Sequence, residues 1–133
     1  MKRLEVVAAL LEEDGRVLIC QRAEGKDRGL LWEFPGGKVE PGETRAQAIE
    51  RECMEELGVK VRALGEAMDV EHAYPDVIVH LTLMRVEIVC GRVHALEHRA
   101  VCMAPIKELE GFELCPADRA FARMLAQNAG EKT

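Results

Sequence analysis

Between Gly36 and Gly58 the chain sets a short acidic helix between glycine-bounded breaks, and this segment limits what the rest can fold into. Gly36-Gly37 and Pro41-Gly42 bracket a stretch predicted to be a loop without regular structure. Thr44 then stands as an N-cap with Gln47 three residues on, the pairing of a capping box, and the helix stops at Gly58. Ile49, Cys53 and Leu57 form an apolar stripe along it, so the helix must dock on something. Glu50, Glu52, Glu55 and Glu56 crowd the same stretch. At about 100° per residue, Glu52, Glu55 and Glu56 fall within an arc of roughly 100°, with Glu56 at the edge of the apolar stripe. Carboxylates gathered at a buried edge repel one another and cost free energy unless a cation neutralises them. Such an oxygen-rich cluster suits a hard divalent ion, Mg²⁺ or Mn²⁺ in its place. Arg51 is spaced for an i,i+4 pair with Glu55. A solvated acidic face without chemistry is the alternative, and the helix alone does not decide.

The surroundings read as strands. Residues 3–11 are β-branched and apolar enough for a strand, Asp14-Gly15 marks a hairpin turn, and Arg16 to Arg22 returns with four consecutive apolar residues, a run expected to be buried on both faces. A polar loop at 23–30 leads to a short extended piece, Leu31 to Phe34. Residues 59–71 and 77–89 predict two long strands joined around Tyr74-Pro75-Asp76, the second apolar enough to be central. A strand near 100–103 and a one-turn helix near 105–109 follow. Pro116 opens a final helix with Ala117, Ala120, Phe121, Met124 and Leu125 on one side, and the last five residues are expected to fray. The class is α/β, a mixed sheet with helices packed on it.

At 133 residues the chain fits one domain, 1–133, able to bury a core without disulfides. The formal net charge of −6 argues against a nucleic-acid polymer or an anionic membrane as partner, but not against a small phosphorylated ligand whose charge a metal offsets. Five cysteines, an odd number with no C-x-x-C, read as reduced, mostly core residues. Met1-Lys2-Arg3 opens like a signal peptide, but Glu5 and Glu12-Glu13-Asp14 interrupt it, so a cytoplasmic location is expected. With no long exposed apolar face, a monomer is expected.

From Gly37 to Val59 the chain reads G-x5-E-x7-R-E-C-x-E-E-x-G-V. This resembles the Nudix box, whose pattern has bulky aliphatic residues at the positions of Cys53 and Val59. Gly37, Glu43, Arg51, Glu52, Glu55, Glu56 and Gly58 match every fixed position. At about 7% usage each, seven fixed matches arise by chance roughly once in 10⁸ placements. Cys53 is a mild departure, because cysteine packs as a small hydrophobe. The resemblance implies an α/β/α sandwich and cleavage of a nucleoside diphosphate linked to a further group. It makes Glu52, Glu55 and Glu56 metal ligands, joined by the carbonyl of Gly36, and assigns Arg51 and Glu43 to orienting the catalytic loop and helix. Cations so held neutralise phosphates and make water nucleophilic near neutral pH.

Beyond the box, Met1 to Ala8, Gln21-Arg22, Trp32 to Lys38, Tyr74-Pro75-Asp76, Leu96-Glu97-His98 and Pro116-Ala117-Asp118 resemble the MutT-type nucleoside triphosphate pyrophosphohydrolases. That resemblance places Arg22 on the phosphates, Phe34 and Tyr74 around the base, Leu4 and Val6 beneath it, and Glu97 as a further metal ligand or base. Phe34 as core, Arg22 as a strand-end surface charge and Glu97 as a solvated loop acid are the alternatives, and His98 reads as surface. Asp118 stands where the guanine-selective members have asparagine; a carboxylate only accepts, which suits the exocyclic amino group of cytosine or guanine. Its alternative is a helix-start acid favoured by the dipole. The implied activity is Mg²⁺-dependent hydrolysis of a small-molecule nucleotide, an 8-oxo-dGTP or a CTP/5-hydroxy-CTP type, to monophosphate and pyrophosphate in sanitation of the nucleotide pool. Hydrolysis of ADP-ribose or a dinucleoside polyphosphate, suggested by Tyr74-Pro75, and a non-catalytic nucleotide-binding Nudix module are the rival readings.

Overall fold

In the computed structural model, which describes residues 2–131, the two-residue alternation of β1 (Lys2–Leu10) decides the architecture. Val7 and Ala9 face one way and Ala8 and Leu10 the other, and all four are buried. A strand buried on both sides needs cover on both sides. β1 lies antiparallel to β5 (Gly36–Lys38) and parallel to β7 (Val77–Cys90), which in turn pairs antiparallel with β6 (Lys60–Tyr74). The order β5-β1-β7-β6 is a mixed sheet with the apolar strand inside it, as its composition predicts.

Val7, Ala9 and Leu11 join Ala48, Ile49, Cys53 and Leu57 of α1 (Arg45–Leu57) in one core. Ala8 and Leu10 join Phe121, Ala122 and Leu125 of α2 (Pro116–Glu131), with Leu109 of a 3-10 helix at Ile106–Gly111, in the other. The result is the expected α/β/α sandwich. Burying a side chain the size of Ile49 or Leu57 contributes about 1.5–3 kcal/mol, so the stripe that the sequence reveals is also what seats the acidic helix. Its ends are as expected: Thr44 Oγ1 accepts from Gln47 N at 3.0 Å, Gln47 Oε1 accepts from Thr44 N at 2.9 Å, and Gly58 closes the helix with φ 66°.

A second, antiparallel sheet departs from the single sheet anticipated. In it β3 (Arg16–Gln21) pairs with β2 (Glu12–Glu13), β4 (Trp32–Glu33) and β8 (Ala100–Pro105). Asp14 and Gly15 make the turn with φ 51° and 75°, and Val17 to Cys20 are buried on both faces as the apolar run predicts.

Three local expectations need correction. Gly36 to Lys38 is a strand: a Cβ on Gly36 would lie 2.8 Å from Ala8 Cα, so the glycine there permits close approach to β1 rather than breaking the ladder. The buried face of α2 is Ala117, Asp118, Phe121, Ala122 and Leu125, while Ala120 and Met124 are half-buried, a rotation that turns a carboxylate inward. The helix also continues to Glu131 where fraying from 129 was expected; positions 132 and 133, like Met1, lie outside the described residues. No described helix is long and apolar enough to cross a membrane.

Candidate active site

The α1 glutamates are held in three different ways. Arg51 is the hub. Its Nε and Nη2 donate to Glu43 Oε2 and Oε1 at 2.7 and 2.9 Å, its Nη1 donates to Glu52 Oε1 at 2.7 Å and Glu55 Oε2 at 3.2 Å, and Nη2 also reaches Lys38 O at 3.0 Å. The guanidinium therefore ties the β5 loop to the helix, and it holds the Glu43 carboxyl down at about 2. Glu56, deeper in the fold, accepts from Gly36 N at 3.1 Å; burial pushes its carboxyl up to about 8, with the nearby charges of Glu52 and Glu33 adding to the rise. Burial likewise raises Glu52. Glu50 takes no part, because its Oε2 accepts from Ala63 N at 2.9 Å and fastens the helix to β6.

Among the described residues no three His, Cys, Asp or Glu side chains are gathered closely enough to hold a metal; Glu52 and Glu55 turn to Arg51 and Glu56 turns to Gly36. The chemistry of the donors still fits a hard divalent cation. Glu52 and Glu56 are withdrawn from water, the charge of Glu52 adds to the raised proton affinity of Glu56, and both offer carboxylate oxygens only. Gly37 makes the seat: a Cβ there would stand 2.6 Å from Glu52 Cδ, so only glycine leaves that carboxylate its place under the loop.

Beside Glu56 opens a cleft of about 720 Å³. Leu4 and Val6 of β1 and Val77, Val79 and Leu81 of β7 form its floor, each set on one face by the strand period. Arg22, Phe34, Tyr74 and Asp118 line it, with Gly36, Gly37 and Glu56 also in its wall, so the residues expected around base and phosphates share one cavity. Phe34 is also core, 3% exposed and edge-on to Phe121 at 6.2 Å. Asp118 is buried, not a solvated helix-start acid: its Oδ1 accepts from Phe34 N at 2.9 Å, and burial pushes its carboxyl up to about 7. The expectation that it only accepts is thereby widened, since near neutral pH the same group also exists as a donor.

Arg22 is engaged by the protein itself, its Nε donating to Asp27 O at 2.8 Å and its Nη1 to both oxygens of Glu33 at 3.2 and 3.3 Å. Three further residues belong to this region and escape the sequence reading. Glu33 lines the cleft and charges Glu56. Arg28, at φ 55°, lays its guanidinium 4.4 Å from the Tyr74 ring centroid. His98, expected at the surface, has a side chain only 6% exposed because Glu33 Oε2 draws its Nε2 inward to 2.9 Å. Its position in Leu96-Glu97-His98 was the one available signal. Glu97 itself is exposed, yet close enough for its charge to raise Glu52 and Glu56.

The sandwich, the acidic helix under a glycine loop and the lined cleft together define a phosphoanhydride hydrolase of the Nudix type. Residues 6–124 match the NUDIX domain model, and the chain belongs to that family. It is 40% identical over 118 residues to the CTP pyrophosphohydrolase of Escherichia coli, covering 89% of this chain and 87% of that one. It is also 40% identical over 83 residues to the 8-oxo-dGTP diphosphatase of Proteus vulgaris, covering 62% of this chain and 72% of the other. The solution structure of the E. coli ORF135 protein superposes with a TM-score of 0.84 at 36% identity, covering 98% of this chain and 94% of that chain. Nudix hydrolases generally require a divalent metal.

Proposed function

We propose that the chain hydrolyses nucleoside triphosphates to the monophosphate and pyrophosphate, acting on cytosine or 8-oxoguanine nucleotides to keep damaged or excess triphosphates out of the pool. One observation carries this reading: a single cleft runs from Glu56 and the Gly36-Gly37 loop, where phosphate chemistry would be done, to Phe34, Tyr74 and Asp118, where a base would be read. The names of the two relatives above point the same way.

Glu52 and Glu56, with Glu55 and Glu97 at the rim, would hold Mg²⁺, or Mn²⁺ in its place. The ion would supply charge neutralisation of the phosphates and activation of water. The chain's own groups do the rest. Arg51 and Glu43 fix the loop against the helix, so that Gly37 and Glu52 keep their spacing. Glu33 and Asp27 O hold Arg22 at the cleft wall, a fixed cation facing the phosphates. Leu4 and Val6 give the base an apolar floor. Asp118 meets an exocyclic amino group as a carboxylate, or a ring carbonyl or nitrogen as a carboxyl.

The test is hydrolysis of 8-oxo-dGTP, dGTP, CTP, dCTP, 5-hydroxy-dCTP and ADP-ribose with Mg²⁺, following pyrophosphate, with Glu52→Gln as control. Pyrophosphate release from the cytosine or 8-oxoguanine nucleotides supports the reading. Turnover of ADP-ribose alone, giving AMP without pyrophosphate, sinks it.

A further inference from the structure

The loop at 91–99 carries Glu97 past the C-terminal end of α1. Its backbone is fastened by His94 N to Leu57 O at 2.8 Å, Leu96 N to Glu56 O at 3.1 Å and Arg99 N to Gln21 O at 2.9 Å. Between the second and third of these ties sit Glu97 and His98, and there a side chain supplies the anchor. His98 Nε2 lies 2.9 Å from Glu33 Oε2. Because a carboxylate oxygen can only accept, Nε2 carries the hydrogen. Nδ1 is buried with no partner among the described residues. An imidazole that leaves one nitrogen unsatisfied in the interior is a poor choice for packing alone, since an apolar ring would fill the space at lower cost. What it contributes there is the bond to Glu33, whose carboxylate Arg22 also holds through both of its oxygens.

We propose that His98 is a positioning residue of the hydrolytic reaction. By donating to Glu33 it fixes the stretch that bears Glu97, so that Glu97 faces Glu52 and Glu56. This rests on the reading of Glu97 as a metal contact given above, and adds that the contact depends on a neighbour which touches neither substrate nor metal.

Two amides separate reach from polarity. In His98→Gln the amide nitrogen reaches about where Nε2 sits, whereas in His98→Asn it stops near Nδ1. Each full-length variant would be measured for Mn²⁺ binding by electron paramagnetic resonance without nucleotide, for kcat and KM of CTP hydrolysis with Mg²⁺, and for its urea midpoint. Losing a residue that orients a metal contact is expected to weaken Mn²⁺ binding and lower kcat roughly tenfold in His98→Asn, with KM nearly unchanged and His98→Gln close to the native protein. In a Glu97→Gln background His98→Asn should then lower kcat no further. Mn²⁺ binding is read with no nucleotide present, so failure of the substrate reading leaves that arm standing. Unchanged Mn²⁺ binding and kcat in His98→Asn would overturn the proposal. So would equal losses in both variants with a lowered urea midpoint, or a full further loss in the Glu97→Gln background.

Discussion

Arg51 and Glu43 are joined by a two-pronged pair, Nε to Oε2 at 2.7 Å and Nη2 to Oε1 at 2.9 Å, that spans the junction between the β5 loop and α1. The same guanidinium reaches Lys38 O, Glu52 and Glu55, a set of bonds that a planar fork can make at once and an ammonium cannot. Arg51→Lys is therefore expected to fold and to lose on the order of 100-fold in kcat, as loss of geometry at a reacting centre does. The pair also has a pH signature. Glu43 titrates at about 2 against an ordinary 4.5, so its stabilisation is complete above 4.5 and is lost as pH falls toward 2. Acid unfolding followed by circular dichroism should begin at higher pH in Arg51→Lys.

The two loop glycines should fail differently. On Gly37 an added Cβ strikes the flexible Glu52 carboxylate, so Gly37→Ala should keep its fold, within about 1 kcal/mol, and lose most of its activity. On Gly36 it strikes the backbone of β1, and Gly36→Ala should lose about 2–3 kcal/mol of stability. Urea unfolding beside a pyrophosphate assay distinguishes them, and equal destabilisation of both would refute the assignment.

Asp118 makes a second pH prediction of the opposite sense. Its carboxyl rises from 3.8 to about 7 in the fold, so the folded state binds the proton more tightly and stability falls as pH climbs from 3.8 through 7. Asp118→Asn keeps an oxygen for Phe34 N but never ionises. Between pH 5 and pH 8 it should gain on the order of 1–3 kcal/mol relative to the native chain. Parallel stability curves for the two proteins would contradict this.

His80 bridges two strands with both ring nitrogens. Nε2 meets Asp69 Oδ2 and Nδ1 meets Glu5 Oε1, each at 2.7 Å, and these bonds raise its proton affinity, Asp69 foremost. Glu5 is further paired with Arg45 and Arg3, and Arg3 with Glu71. A histidine with a raised folded value stabilises fully below its ordinary 6.5 and loses that contribution as pH rises through the folded value. His80→Gln should be less stable than the native chain at pH 6 and converge with it in alkali, as read from urea midpoints across pH 6–9. A constant difference across that range would count against a charged bridge.

How far the sequence carried differs by kind of residue. Elements fixed by period and caps were legible: Ile49, Cys53 and Leu57 on one stripe, Thr44 and Gln47 at its start, the doubly buried run after Asp14-Gly15. Gly36 to Lys38 misled, because glycine signals both a break and a close approach and only the partner strand tells which. The rotation of α2 was invisible for a similar reason. Asp118 is turned inward by the Phe34 amide, a partner 84 residues away. The burial of His98 has no signal in its own loop, because its partner Glu33 lies 65 residues away. Chemistry carried by local spacing could be read, and chemistry carried by long-range pairing could not.

Phe34 N binds Asp118 and Gly36 N binds Glu56. Two acids that line the cleft thus hang on amides two residues apart, a gap that covalent geometry limits to roughly 7 Å. Side-chain changes at Asp118 or Glu56 alter the groups that the cleft presents. None of them can stretch this ruler. Substitution at either acid leaves the separation of these two anchors to the backbone through Pro35, and only an insertion or deletion there would change it.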